Sequence, residues 1–173
     1  LCQLPPRFDG RPVAPAAAQP ERKAEPLAEG VWLLPGRFDP GRQPDGNSLL
    51  LQGRDGLVIV DSGRHAEHAA ALMAWVGERR QPLRAVINTH WHPEHTGLNE
   101  HAGKQRAKII AHESTRLWLS TTVRYTPDGT PFLPLPAAAR PNATIYNTGE
   151  LTVGNETLRY GYLSQAHTDG DLY

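Results

Sequence analysis

Three imidazoles and one carboxylate fall within the six residues His90-Trp91-His92-Pro93-Glu94-His95, a density that core packing does not require. Neutral imidazole nitrogens and an ionised carboxylate are ligands that divalent zinc, iron or manganese accept. An extended backbone over residues 89–92 sends His90 and His92 to one side and Trp91 to the other, so two nitrogens converge on one ion. Pro93 fixes its own φ and biases His92 away from helix, which presents Glu94 and His95 from a rigid corner beside that first ion. A second metal position there is open to them. The plain alternative is a polar surface turn in a chain with eight histidines.

The flanking elements must hold this turn in place. Val31 to Leu34, Ser48 to Gln52 and Leu57 to Val60 read as strands, with Arg54-Asp55-Gly56 as the hairpin turn between the last two. The unbroken apolar run at 57–60 predicts a strand buried on both faces that delivers Asp61 at its carboxyl end. Asp61 then either belongs to a site at that strand end or caps the helix that follows. That helix is predicted over 65–80, with an apolar stripe of Ala69, Leu72, Trp75 and Val76 and with His65 and His68 on a solvated face. Arg84 to Asn88 is the strand that ends on the histidine turn. Residues 98–106 are short and polar, 107–111 is strand, and 112–125 is helical with Leu117 and Leu119 as anchors and His112 as a capping or packing residue. A proline-rich loop over 125–142 carries Phe132 and Leu133, which could line a cleft mouth or pack on the body. Strands at 144–147, 151–153 and 156–163 begin a second sheet, the last two joined at Gly154-Asn155.

These segments resemble the metallo-β-lactamase superfamily. His90-Trp91-His92-Pro93-Glu94-His95 is similar to its His-x-His-x-Asp-His signature at a strand end, with Glu94 in place of Asp. Leu57 to Gly63 is similar to its strand ending in Asp-Ser/Thr-Gly, and Ala166-His167-Thr168-Asp169-Gly170-Asp171 to its later histidine motif. The Trp-His-Pro-Glu pattern hints at the quinoprotein-associated branch. The resemblance covers residues 30–173 and implies an αββα sandwich of the mixed α/β class. It also implies that His90, His92 and His167 bind one zinc ion with a fourth position left for water, the catalytic arrangement, in which a metal-bound hydroxide attacks an ester, amide, thioester or β-lactam-type bond of a small-molecule substrate. Asp61 would stand behind the ligand histidines. Glu94 and His95 would make half of a second site, and Glu94, longer than Asp by one methylene, could instead serve as a general base. Asp169 and Asp171 read as turn residues. The further Asp and last histidine that the family implies would follow Tyr173, so these residues are expected to be rather more than half of the domain, with apolar surface uncovered near 156–173. The resemblance also implies a periplasmic or secreted protein, with a cytoplasmic one as the alternative.

Composition narrows the rest. Eighteen basic and eighteen acidic side chains balance, at a pI near 7.3, so nothing favours nucleic acid as a partner. The single cysteine excludes an internal disulfide or a cysteine-based zinc knuckle, so histidine must carry a metal. No run approaches the roughly eighteen apolar residues of a membrane span. Residues 1–29, rich in Pro and Ala, read as a tail ahead of one domain over 30–173. A metal-binding protein without turnover, and a di-iron redox module on the same scaffold, are the alternatives to the hydrolase. The redox module fits less well, because a carboxylate is its usual residue where His92 stands.

Overall fold

The computed structural model describes residues 22–124 and 129–173. Residues 1–21 of the expected tail, the end of the helix expected to reach 125, and residues 125–128 of the proline-rich loop lie outside the described residues. Seven strands form one sheet in sequential order: β1 (Glu25–Ala28), β2 (Val31–Leu34), β3 (Ser48–Gly53), β4 (Gly56–Val60), β5 (Leu83–Ile87), β6 (Lys108–His112) and β7 (Ala143–Ile145). The first four pair antiparallel and the last four parallel. Helix α1 (Ala66–Arg79) joins β4 to β5, α2 (Asn99–Lys104) precedes β6, and α3 (Glu113–Leu119) follows it. A second, antiparallel sheet has the order β10 (Asp171–Leu172), β9 (Glu156–Leu163), β8 (Thr148–Val153).

Strict alternation along the central strands explains the layering. Leu57 and Ile59 of β4, Val86 of β5 and Ile109 of β6 face Leu72, Trp75 and Val76 of α1 and Ala102 of α2. Val58, Ala85, Ile87 and Ile110, one residue out of step, face Leu151, Val153 and Leu172 of the second sheet. An apolar run without polar interruption is thus what a strand sandwiched between helices and another sheet requires. Helix, sheet, sheet accounts for three layers of the αββα sandwich. Trp32 of β2 and Trp75 of α1 meet edge to face at 5.5 Å, with the Arg79 guanidinium over both rings.

Several boundaries differ from the sequence reading. β1 lies inside the stretch expected to be tail, because its backbone pairs with β2 while all four of its side chains stay exposed and leave no periodic signature. The strand expected at 144–147 is β7, which closes the first sheet by parallel pairing with β6 rather than opening the second. Helix α3 is shorter than expected, and Leu117 is no anchor. It is 53% exposed, whereas Leu119 is fully buried. Exposed apolar side chains are not concentrated at 156–173, since Leu27, Phe38, Leu117 and Leu133 join Leu163 and Tyr173. Among the described residues no helix is long and apolar enough to cross a membrane.

Leu72→Ala should cost about 2–5 kcal/mol in urea unfolding, because it empties a fully buried site beneath the first sheet. Leu117→Ala should stay within about 0.5 kcal/mol of the parent protein. Equal costs at the two positions would contradict this placement of the core.

Candidate metal centre

The site forms where three strands end. β4 runs into Asp61, β5 into Asn88, Thr89 and His90, and β9 into the loop that carries His167. After His92 the chain turns through a 3-10 turn, Pro93–His95, as the proline had implied. The second sheet is stitched to the first at this end, where Leu172 N–H donates to Thr89 O at 2.8 Å. The His167 loop is further tied to α3. Thr115 Oγ1 donates to Gly170 O at 3.1 Å and Trp118 Nε1 to Asp169 Oδ1 at 2.7 Å. Asp171 accepts from Thr168 N–H and O–H and so serves the turn, as expected, whereas the Asp169 side chain ties the loop to α3.

His90, His92 and His167 come together, with one nitrogen from each lying within 4.8 Å of the others. His92 Nδ1 and His167 Nε2 are 3.3 Å apart, matching the roughly 3.4 Å between two ligand nitrogens of a tetrahedral zinc. The donor set therefore fits a metal ion. Burial, reinforced by His95 and His92, pushes the His90 pKa down to about 4, and burial likewise lowers that of His92. Both rings are therefore neutral at pH 7, the state in which a nitrogen lone pair is free for a metal.

Behind them Asp61 accepts three hydrogen bonds. Oδ1 takes Thr89 N–H at 2.8 Å, and Oδ2 takes Thr89 O–H at 2.6 Å and His95 Nδ1–H at 2.8 Å. The Thr89 hydroxyl proton being committed, its oxygen accepts from His90 Nδ1–H at 3.0 Å, which assigns the free lone pair of His90 to Nε2. Asp61 is thus an orienting group and not the cap of α1. Its backbone sits at φ 57°, a left-handed conformation that Asp tolerates better than most residues.

Glu94 and His95 lie outside the three-histidine group. Glu94 pairs with Arg64 at 3.2 Å and approaches His92 Nδ1 to 3.8 Å. Burial pushes its carboxyl up, but its own backbone N–H and the surrounding His92, His95 and Arg64 outweigh that and hold it below the usual range. His95 is opposed in the same way: burial lowers it, and the Asp61 hydrogen bond with the charges of Asp61 and Glu94 raises it overall.

The sequence reading placed His68 on a solvated face, and this is wrong. His68 is fully buried four residues before Leu72, on the same helical stripe, a spacing that was readable. Its Nδ1 faces Arg22 Nη1 at 3.0 Å and its Nε2 faces Ser48 Oγ at 2.8 Å. Arg22 also donates to Asp45 at 2.7 Å, and Asp45 accepts Arg64 N–H and His65 N–H at 2.7 and 2.8 Å. Asp45 thereby does for the start of α1 what Asp61 was weighed for. Its neighbour Gly46 donates to Glu94 O at 3.0 Å, and a Cβ there would meet Glu94 O at 2.7 Å and the His95 ring at 2.8 Å. This corner braces the histidine turn from behind. His112 caps α3 by accepting Ser114 N–H, as expected. A groove of about 840 Å³ lies at the opposite, hairpin end of the sheets and is lined by no histidine or cysteine, so it is remote from this chemistry.

A profile of the metallo-beta-lactamase superfamily matches residues 41–172. The chain belongs to that superfamily. Among solved structures, a metallo-beta-lactamase from Pontibacter korlensis superposes with a TM-score of 0.67 at 19% identity, covering 86% of this chain and 64% of that one. DIM-1 metallo-beta-lactamase gives 0.65 at 20% identity, covering 88% and 64%. At such identities the likeness shows the fold alone. A curated relative, the 2,4-dinitroanisole O-demethylase subunit alpha of Nocardioides sp. (strain JS1661), is 25% identical over 180 aligned positions, 90% of this chain and 49% of that protein. The chain thus spans about half the length of that relative and just under two thirds of the superposed lactamases.

His68 should make stability pH-dependent. Burial pushes its pKa from 6.5 to about 4, so between those values the unfolded chain takes up a proton that the folded chain refuses, and stability falls as pH falls. The full loss from this residue is about 3 kcal/mol. His90 and His92 add to it, while His95, raised on folding, opposes it. In urea unfolding at several pH values across that window, His68→Gln should flatten the profile relative to the parent. Parallel profiles would show that His68 does not titrate this way. Separately, Asp45→Ala should cost about 3–5 kcal/mol, because it strands the buried Arg22 charge.

Proposed function

We propose that this chain carries the metal centre of a zinc-dependent hydrolase acting on a small molecule. The convergence of His90, His92 and His167, three nitrogen donors that leave one tetrahedral position open, is the observation that carries the reading. A zinc ion held there would lower the pKa of a water and polarise the oxygen under attack. The protein's own groups do the rest. Asp61, through Thr89, holds His90 with Nε2 forward, and directly holds His95 with its own Nε2 forward. Glu94 Oε1, ionised at neutral pH and bordering His92, is placed to accept a proton from a water at the centre. Arg64 steadies that carboxylate by binding its other oxygen. The acyl bonds of esters, thioesters, amides and β-lactams are the substrate linkages this chemistry serves.

One comparison favours a second reading of the bond that is cut. Likeness to a 2,4-dinitroanisole O-demethylase subunit supports removal of the methyl group from an aryl methyl ether. Zinc titration of the metal-free chain should give about one equivalent bound tightly, and His92→Ala should lose most of that affinity. A screen of esters, thioesters, β-lactams and 2,4-dinitroanisole, read by product release, separates the two readings. Zinc binding unaffected by His92→Ala would refute the site, and turnover of none of the compounds by the zinc-loaded protein would count against a hydrolase.

A further inference from the structure

We propose that Trp91, Trp118 and Phe132 form a recognition shelf for a planar aromatic group of the substrate. The proposal rests on the reading of the three histidines as the reacting centre. Trp91, between His90 and His92 in sequence, places its ring 4.6 Å from that of His92. It stacks on Trp118 at 5.3 Å with 22° between planes, and Phe132 meets it edge-on at 6.0 Å. Trp118 in turn is anchored to Asp169, two residues after His167. The shelf therefore touches both histidine-bearing segments, and a group resting on it would abut the centre.

Stability alone does not explain the cluster. Three segments distant in sequence contribute to it, yet none of its rings belongs to either apolar core. All three are only partly buried, and Leu117 and Leu133 beside them are 53% and 65% exposed. Asp169 consumes the Trp118 indole proton, so Trp118 and Phe132 offer a ligand only ring faces and edges. Such a surface favours a flat ring, which can stack or meet an edge, over a puckered one of equal size. A carboxylate or ester carbonyl at the three histidines, with a ring directly attached, matches this layout.

The test uses benzoate and cyclohexanecarboxylate, which share the metal-seeking carboxylate and nearly the same bulk but differ in flatness. Calorimetry on the zinc-loaded and the metal-free chain should show benzoate bound about tenfold more tightly, with quenching of tryptophan fluorescence. Trp91→Ala and Trp118→Ala should each reduce that ratio to near one while leaving zinc affinity unchanged. Trp118→Phe keeps a stackable ring, should retain most of the ratio, and guards against misfolded alanine variants, whose far-ultraviolet circular dichroism is checked in parallel. Equal affinities for the two carboxylates, no benzoate binding to either form, or a preference that survives loss of both indoles would overturn the shelf. A benzoate preference without hydrolysis of any ester would support the shelf and count against the hydrolase. Hydrolysis of phenyl and cyclohexyl esters with equal KM would do the reverse.

Discussion

Asp61 has to satisfy three donors at once, and the geometry of the site follows from how it does so. The carboxylate hangs from the end of β4 at a left-handed φ, where the chain leaves the sheet. It takes the backbone N–H and hydroxyl of Thr89 from the end of β5 and the Nδ1–H of His95 from the turn beyond. A buried carboxylate with its lone pairs filled by rigid donors resists rotation. Two neighbouring strand ends and the 3-10 turn are thereby locked to one another. Because Thr89 spends its proton on Asp61, the tautomer of His90 is set one bond further out, and the tautomer of His95 is set directly. The orienting work is done by the protein's own groups.

The same contact explains why two histidines whose rings lie 4.1 Å apart shift in opposite directions. His90 has lost water and gained mainly imidazole neighbours, so its cationic form is disfavoured. His95 has lost water too, but it faces the Asp61 carboxylate and Glu94, and attraction exceeds the desolvation cost. Despite its burial, Glu94 is held below the usual carboxylate range by its own backbone N–H and by the groups around it, Arg64 among them. A cluster with one face suited to a cation and one already paired with arginine is thus built from a short sequence run.

A second buried carboxylate, Asp45, supports the first from the other side. It holds the loop between Asp61 and α1 through Arg64 N–H and His65 N–H, and it is balanced by Arg22, far earlier in the chain. Arg22 in turn reaches His68, so the residues just ahead of β1, which look like spacer, contribute a charge to the interior. The cost is visible in Arg22 Nε and Nη2, buried without a hydrogen-bond partner. The histidine turn is consequently clamped between two acid-centred networks, one shared with His90 and His95 and one shared with the N-terminal segment.

The sequence by itself determined the strands β4 and β5, the burial of β4 on both faces, the amphipathic α1, the corner at Pro93 and the chemical identity of the histidine turn, because each of these is written in residue types and spacings within about fifteen positions. The later histidine motif was legible only through its resemblance to a family. Tertiary structure alone decided that Leu172 joins Thr89 and so brings His167 to His92, a pairing of segments some seventy-five residues apart that local periodicity does not encode. It also decided that Glu94 pairs with Arg64, that Asp45 rather than Asp61 serves the start of α1, and that Arg22 is buried. His68 stands between the two cases. Its place on the stripe of Leu72 and Trp75 was readable, but a polar residue is read as buried only once its partners are known, and Ser48 and Arg22 are partners that folding supplies.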